Sequence, residues 1–137
     1  MAVLIQICLL YMKITGIHHV QLTVTDLKRS KDFYSKLPNF TLVANHPNFL
    51  MFFAGSFYIG MTDHKGLLRE KVFNEKNTGL DHIAFEVASE NDLAEALTYL
   101  DIEKIPHGKI KILSNGAHVL AFRDPDNIQL EFAWRKQ

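Results

Sequence analysis

His19-Val20-Gln21-Leu22-Thr23-Val24 and His82-Ile83-Ala84-Phe85-Glu86-Val87 are the two stretches that decide the fold. In each, a histidine is followed by large apolar residues at every second position, the period of a strand that lays one face on a core. Val20, Leu22 and Val24 form that face in the first copy, and Ile83, Phe85 and Val87 in the second. The histidines therefore belong to the opposite faces, beside Gln21 and Thr23 in one copy and Ala84 and Glu86 in the other.

The flanks of the two copies also match. Thr25 and Asp26 precede a helical stretch from Leu27 to Leu37, and Ser89 precedes another from Asn91 to Leu100; Asp26 and Ser89 are good N-cap types. Pro38 and Pro106 lie just beyond, where a helix need not continue. Short apolar strands follow each helix: Thr41–Val43, Phe49–Ala54 and Tyr58–Thr62, then Lys109–Leu113, His118–Arg123 and Ile128–Ala133. Gly55-Ser56 and Asp124-Pro125-Asp126-Asn127 read as hairpin turns, with Asn127 suited to a left-handed backbone. The two histidines are 63 positions apart, from 19 to 82, so each half is a βαβββ unit of one duplication. The expected fold class is α+β: two βαβββ repeats, about 16–64 and 79–135, forming a curved mixed sheet around a concave cavity. In the last strand Glu131 alternates with Leu130 and Phe132 and turns to the polar side, so that three good ligands, His19, His82 and Glu131, converge on the cavity in principle.

A chain of 137 residues, 47% hydrophobic and 22% charged, supports one globular domain, here residues 13–137. Fifteen Lys and Arg balance fifteen Asp and Glu, which leaves no basic excess to attract nucleic acid or anionic lipid. The single cysteine, Cys8, can form no disulfide within the chain, so nothing requires an oxidising compartment and a cytoplasmic protein is expected. The apolar run Ala2–Tyr11 is too short to span a bilayer and lacks the flanks of a cleaved leader. Residues 1–12 read as an N-terminal extension or an added strand, with Met12 a possible natural start.

The order and spacing of these segments resemble the vicinal oxygen chelate superfamily of glyoxalases, bleomycin resistance proteins and extradiol dioxygenases. The resemblance rests on Gly16-Ile17-His18-His19-Val20, Val24-Thr25-Asp26-Leu27, Phe33-Tyr34, Gly79-Leu80-Asp81-His82-Ile83-Ala84-Phe85 and Phe122 through Glu131. It implies that His19, His82 and Glu131 hold a divalent metal in the cavity, and that a homodimer completes that cavity. It also implies a small-molecule substrate chelated through two oxygens, in dioxygenase-like or lyase/isomerase-like chemistry. Two imidazoles and one carboxylate with open positions suit Fe2+ or Mn2+ for dioxygen chemistry, and Ni2+, Co2+ or Zn2+ for Lewis-acid isomerisation. The alternative within the resemblance is a bleomycin-resistance-like protein that sequesters a ligand without turnover.

The sequence departs from the family's subgroups at definite positions. Gly60 stands where metal-dependent glyoxalases carry a fourth ligand, Ala121 where extradiol dioxygenases carry a tyrosine, and Gln21, Val119 and Ala121 where fosfomycin-modifying transferases carry Thr, Ser and Tyr. Beside Glu131, His118 in the penultimate strand and Glu86 on the face of His82 are candidate acid–base groups. His18 shares the parity of Val20 and is expected to pack towards the helix. Arg123 is a candidate carboxylate grip, with a surface role the plainer reading. Some of Phe49, Phe52, Phe53, Phe57 and Tyr58 must face the cavity, giving it a lining for an aromatic or acyl group.

Overall fold

The computed structural model describes residues 12–137; the extension expected at the N-terminus lies, Met12 apart, outside the described residues. The first half runs β1 (His19–Thr23), α1 (Leu27–Tyr34), β2 (Phe40–His46), β3 (Phe49–Ala54) and β4 (Tyr58–Thr62). The second runs β5 (Ile83–Glu86), α2 (Glu90–Ile102), β6 (Lys111–Ile112), β7 (Ala117–Arg123) and β8 (Gln129–Arg135). Each half folds its strands into one four-stranded mixed sheet, ordered β1-β4-β3-β2 and β5-β8-β7-β6. In each, the first and last strands are parallel and the remaining pairs antiparallel. This is the expected α+β duplication.

Local chemistry fixes the helix starts. The Asp26 carboxylate accepts from the backbone N–H of Arg29 at 2.9 Å. The Ser89 hydroxyl accepts from the N–H of Asp92 at 3.1 Å and donates to that residue's carboxylate at 2.8 Å. Each cap satisfies a donor that would otherwise be orphaned in the first turn. Helix α1 stops at Tyr34, short of the expected Leu37, whereas α2 runs on past Leu100 to Ile102.

Alternation then sorts the side chains. Leu22, Leu50, Phe52, Ile59 and Met61 of the first sheet join Ile83, Leu120, Phe122, Leu130 and Phe132 of the second, with Tyr34, Leu93 and Leu100 from the helices, in one core. Phe85 of β5 meets Phe40 edge-on at 5.3 Å and stacks on Phe57 at 6.3 Å, so aromatic rings from both halves interlock. With the apolar faces of both sheets committed to this shared core, their polar faces are left on the outside of the chain.

Polar ties reinforce the join. The Tyr34 hydroxyl donates to the Asp124 carboxylate at 2.9 Å, and the other Asp124 oxygen accepts from the N–H of Asp126 and of Ile128, each at 2.8 Å. Asp126 reaches back to the first half, accepting from the Thr25 N–H at 3.0 Å, from the Thr25 hydroxyl and from Arg29 at 2.8 Å. Burial pushes the Asp124 carboxyl up to about 6 against the hydrogen bonds that favour its charge, and it raises the Tyr34 hydroxyl too. Asn127 takes the expected left-handed conformation at φ 68° and donates to the carbonyl of Phe73, pinning the segment between the halves onto the β7–β8 turn. Arg123 clamps Glu75 of that segment through two bonds of 3.1 and 2.9 Å, holding the glutamate down to about 2. Arg123 is thus an ion-pair partner rather than an open carboxylate grip.

Candidate metal centre

His82 precedes β5 by one residue, and Glu131 lies across the sheet in β8, whose register sets it opposite Ala84. The methyl group of Ala84 leaves room above the sheet, and the His82 Nε2 atom comes to 2.8 Å from Glu131 Oε1. On its other side His82 Nδ1 is 2.6 Å from the Asp81 carboxylate. A carboxylate only accepts, so Nδ1 carries the hydrogen of that bond and Nε2 turns a lone pair on Glu131. Two acceptors at that distance require a cation between them, a proton or a metal ion. A carboxylate on the outer nitrogen of a ligating histidine also fixes its tautomer and raises its basicity. The donors fit a divalent ion. Glu131 is largely shielded, at 13% side-chain exposure, while His82 at 38% opens to solvent.

His19 is on the other sheet, at the start of edge strand β1, its Nδ1 2.8 Å from that of His18. Among the described residues no three His, Cys, Asp or Glu side chains lie close enough together to hold one ion. The expected convergence of His19, His82 and Glu131 is therefore not reached inside one chain, because the two polar faces point away from a shared core instead of towards each other. His18 is also corrected: the strand begins at His19, so parity does not govern His18, which is exposed with its ring against Tyr58 at 5.9 Å.

His118 has the parity of Leu120 and Phe122 and turns to the helix side of its sheet. There it meets Trp134 edge-on at 5.1 Å and lies 3.4 Å from Glu90 at the start of α2. That is the face opposite Glu131, which removes His118 from the acid–base candidates. Glu86 keeps the face of His82 but is four residues along the strand, about 13 Å away, in register with Ala133.

The polar face of the first sheet carries more than its histidine. Registers set Tyr58 beside His19, Gly60 beside Gln21, Met51 beside Gly60 and Phe53 beside Tyr58. Phe53 and Tyr58 pack at 5.2 Å, and Phe49 closes on Gly60 from the side. The aromatic cluster thus divides: Phe52 enters the core, whereas Phe49, Phe53 and Tyr58 line the face of His19. Thr23, on the same face, meets His64 at 3.1 Å. Two residues that matter here escaped the sequence reading. Asp81 adjoins His82, where alternation would point it away. Gln21 lies over Gly60, a pairing that only the strand register reveals.

The family model for the glyoxalase/bleomycin resistance protein/dioxygenase superfamily matches residues 16–132, and the chain belongs to that superfamily. Solved structures repeat the fold. A glyoxylase/bleomycin resistance protein/dioxygenase domain from Frankia sp. EAN1pec is 27% identical, with TM-score 0.76 over 91% of this chain and 95% of its own. A lactoylglutathione lyase from Agrobacterium tumefaciens is 20% identical, with TM-score 0.74 over 90% and 96%. The fosfomycin resistance protein FosX from Listeria monocytogenes is 21% identical, with TM-score 0.71 over 90% and 96%. No match was found among curated proteins. Among the described residues, no helix is long and apolar enough to cross a membrane.

Proposed function

We propose that this chain is a divalent-metal-dependent enzyme that chelates two neighbouring oxygens of a small substrate, in dioxygenase-like or lyase/isomerase-like chemistry. The observation that carries the reading is the Asp81–His82–Glu131 alignment, with Nε2 and a carboxylate oxygen 2.8 Å apart. His82 and Glu131 are one half of the donor set and His19 is the other. Strands β1 and β5, which carry the two histidine positions, are both sheet edges with unpaired backbone. A homodimer that sets β1 of one copy beside β5 of the other brings His19 to the partner subunit's His82 and Glu131.

A bound Fe2+ or Mn2+ would supply dioxygen activation, and Ni2+, Co2+ or Zn2+ Lewis-acid polarisation. The chain's own residues do the rest. Asp81 holds the His82 ring in one tautomer and orientation. Phe49, Phe53 and Tyr58 take the apolar part of the substrate and exclude water beside His19. Glu131, the most shielded carboxylate of the group, can hold a proton lost from a substrate carbon or hydroxyl. A second reading, ligand sequestration without turnover, is favoured by the aromatic face and by the separation of His19 from the other two donors.

The test is metal content after reloading apo protein with Fe2+, Mn2+, Ni2+ and Zn2+. Near one ion per chain is expected, lost in His19→Ala, His82→Ala and Glu131→Ala and weakened about 10- to 100-fold in Asp81→Ala. A folded wild type that takes up no ion but still binds aromatic ligands would replace this reading with sequestration.

A further inference from the structure

Superposing the registers of the two halves exposes an exchange. In the second half the pair two positions on from the histidine is Ala84 and Glu131: a small residue on the edge strand and an oxygen-bearing chain on its neighbour. In the first half the equivalent pair is Gln21 and Gly60: the oxygen-bearing chain is on the edge strand and the neighbour is bare. The bareness is used. A Cβ at position 60 would overlap the Gln21 carboxamide oxygen, and would also sit 3.2 Å from the Phe49 ring. Gln21 folds flat over Gly60, filling the space a side chain rooted there would take.

We propose that Gln21 is the first half's counterpart of Glu131, a neutral carboxamide oxygen presented to the metal centre from the strand opposite the usual one. This rests on the metal-dependent reading above and deepens it. The centre then has two imidazoles, one carboxylate and one carboxamide. A divalent ion among them keeps a net charge of +1, where a second carboxylate would leave it neutral. Residual positive charge with open positions selects a substrate that brings its own negative charge: a small anion with two neighbouring oxygens, such as an α-hydroxy or α-keto acid or a catecholate. Gln21 is the residue that sets this preference, and Gly60 makes room for it.

Co2+ is the probe, read by equilibrium binding and by its visible absorption, with oxalate as the anionic bidentate ligand. Gln21 is exposed, so Gln21→Glu and Gln21→Ala are expected to fold, which thermal melts check. Gln21→Glu should tighten Co2+ binding at least about tenfold through its added ligand charge and weaken oxalate binding to the loaded protein by a similar factor. Gln21→Ala should keep the Co2+ stoichiometry while shifting the absorption bands. Wild-type affinity, spectrum and oxalate binding in both variants would overturn the assignment of Gln21 and leave the metal site standing. Failure of the wild type to bind Co2+ would overturn the metal site itself, and the role of Gln21 with it.

Discussion

At the scale of single residues, the chain spends charge sparingly inside and places it where partners exist. Asp124 is the exception that can be measured. Its carboxyl sits at about 6 in the folded chain against 3.8 for the free group, because burial outweighs the three hydrogen bonds it accepts. The folded state therefore holds this proton more tightly than the unfolded one. The resulting stabilisation is full below pH 3.8 and is lost as pH rises through 6. Moving the carboxyl that far corresponds to about 3 kcal/mol. Comparing chemical denaturation of wild type and Asp124→Asn should show the wild type losing about that much relative to the variant between pH 4 and 7. A pH-independent gap would show that the carboxylate is as comfortable buried as exposed.

At the scale of elements, alternation carried most of the reading. The parity of β1, β5 and β8 put His19, His82 and Glu131 on polar faces, and the caps Asp26 and Ser89 fell where the helices begin. Ser89→Ala should lower stability by about 1 kcal/mol in thermal or urea melts, with the loss confined to α2 in hydrogen exchange. Parity fails where a strand has not yet begun. Asp81 and His18 lie outside the regular pleat, so their contacts with His82 and with Tyr58 could not be counted off along the chain. It also cannot name cross-strand neighbours, because register depends on turn geometry; Gln21 over Gly60 is such a pair. His118 was misjudged from a different cause: its spacing from Glu131 suggested proximity, but its parity matched Leu120, and the face won over the distance.

At the scale of the whole molecule, the sequence pattern specified two similar halves but not which faces they share. A duplication allows the polar faces to meet within one chain or the apolar ones to do so. The interlocking of Phe40, Phe57 and Phe85 and the bonds from Tyr34, Thr25 and Arg29 to the second half select the apolar join. If the metal centre is shared between copies, two defective variants should repair each other. Mixing His19→Ala with Glu131→Ala under subunit exchange should restore about a quarter of the wild-type metal content, since half the dimers are then mixed and each has one whole site of two. Additive loss with no recovery would place all the donors within one chain.

The ties between the halves run one way. Both carboxylates, Asp124 and Asp126, come from the turn of the second repeat, and both receiving sets come from the first helix and its approach; the first repeat offers Gly55-Ser56 at the matching turn. The copies have thus specialised as plug and socket. A gene rebuilt from two identical first halves would have two sockets and no plug, and one built from two second halves would bury carboxylates with nothing to answer them. Whatever ancestral symmetry joined the repeats, recombination between them is now closed off, and each half is free to change only as fast as the other can follow.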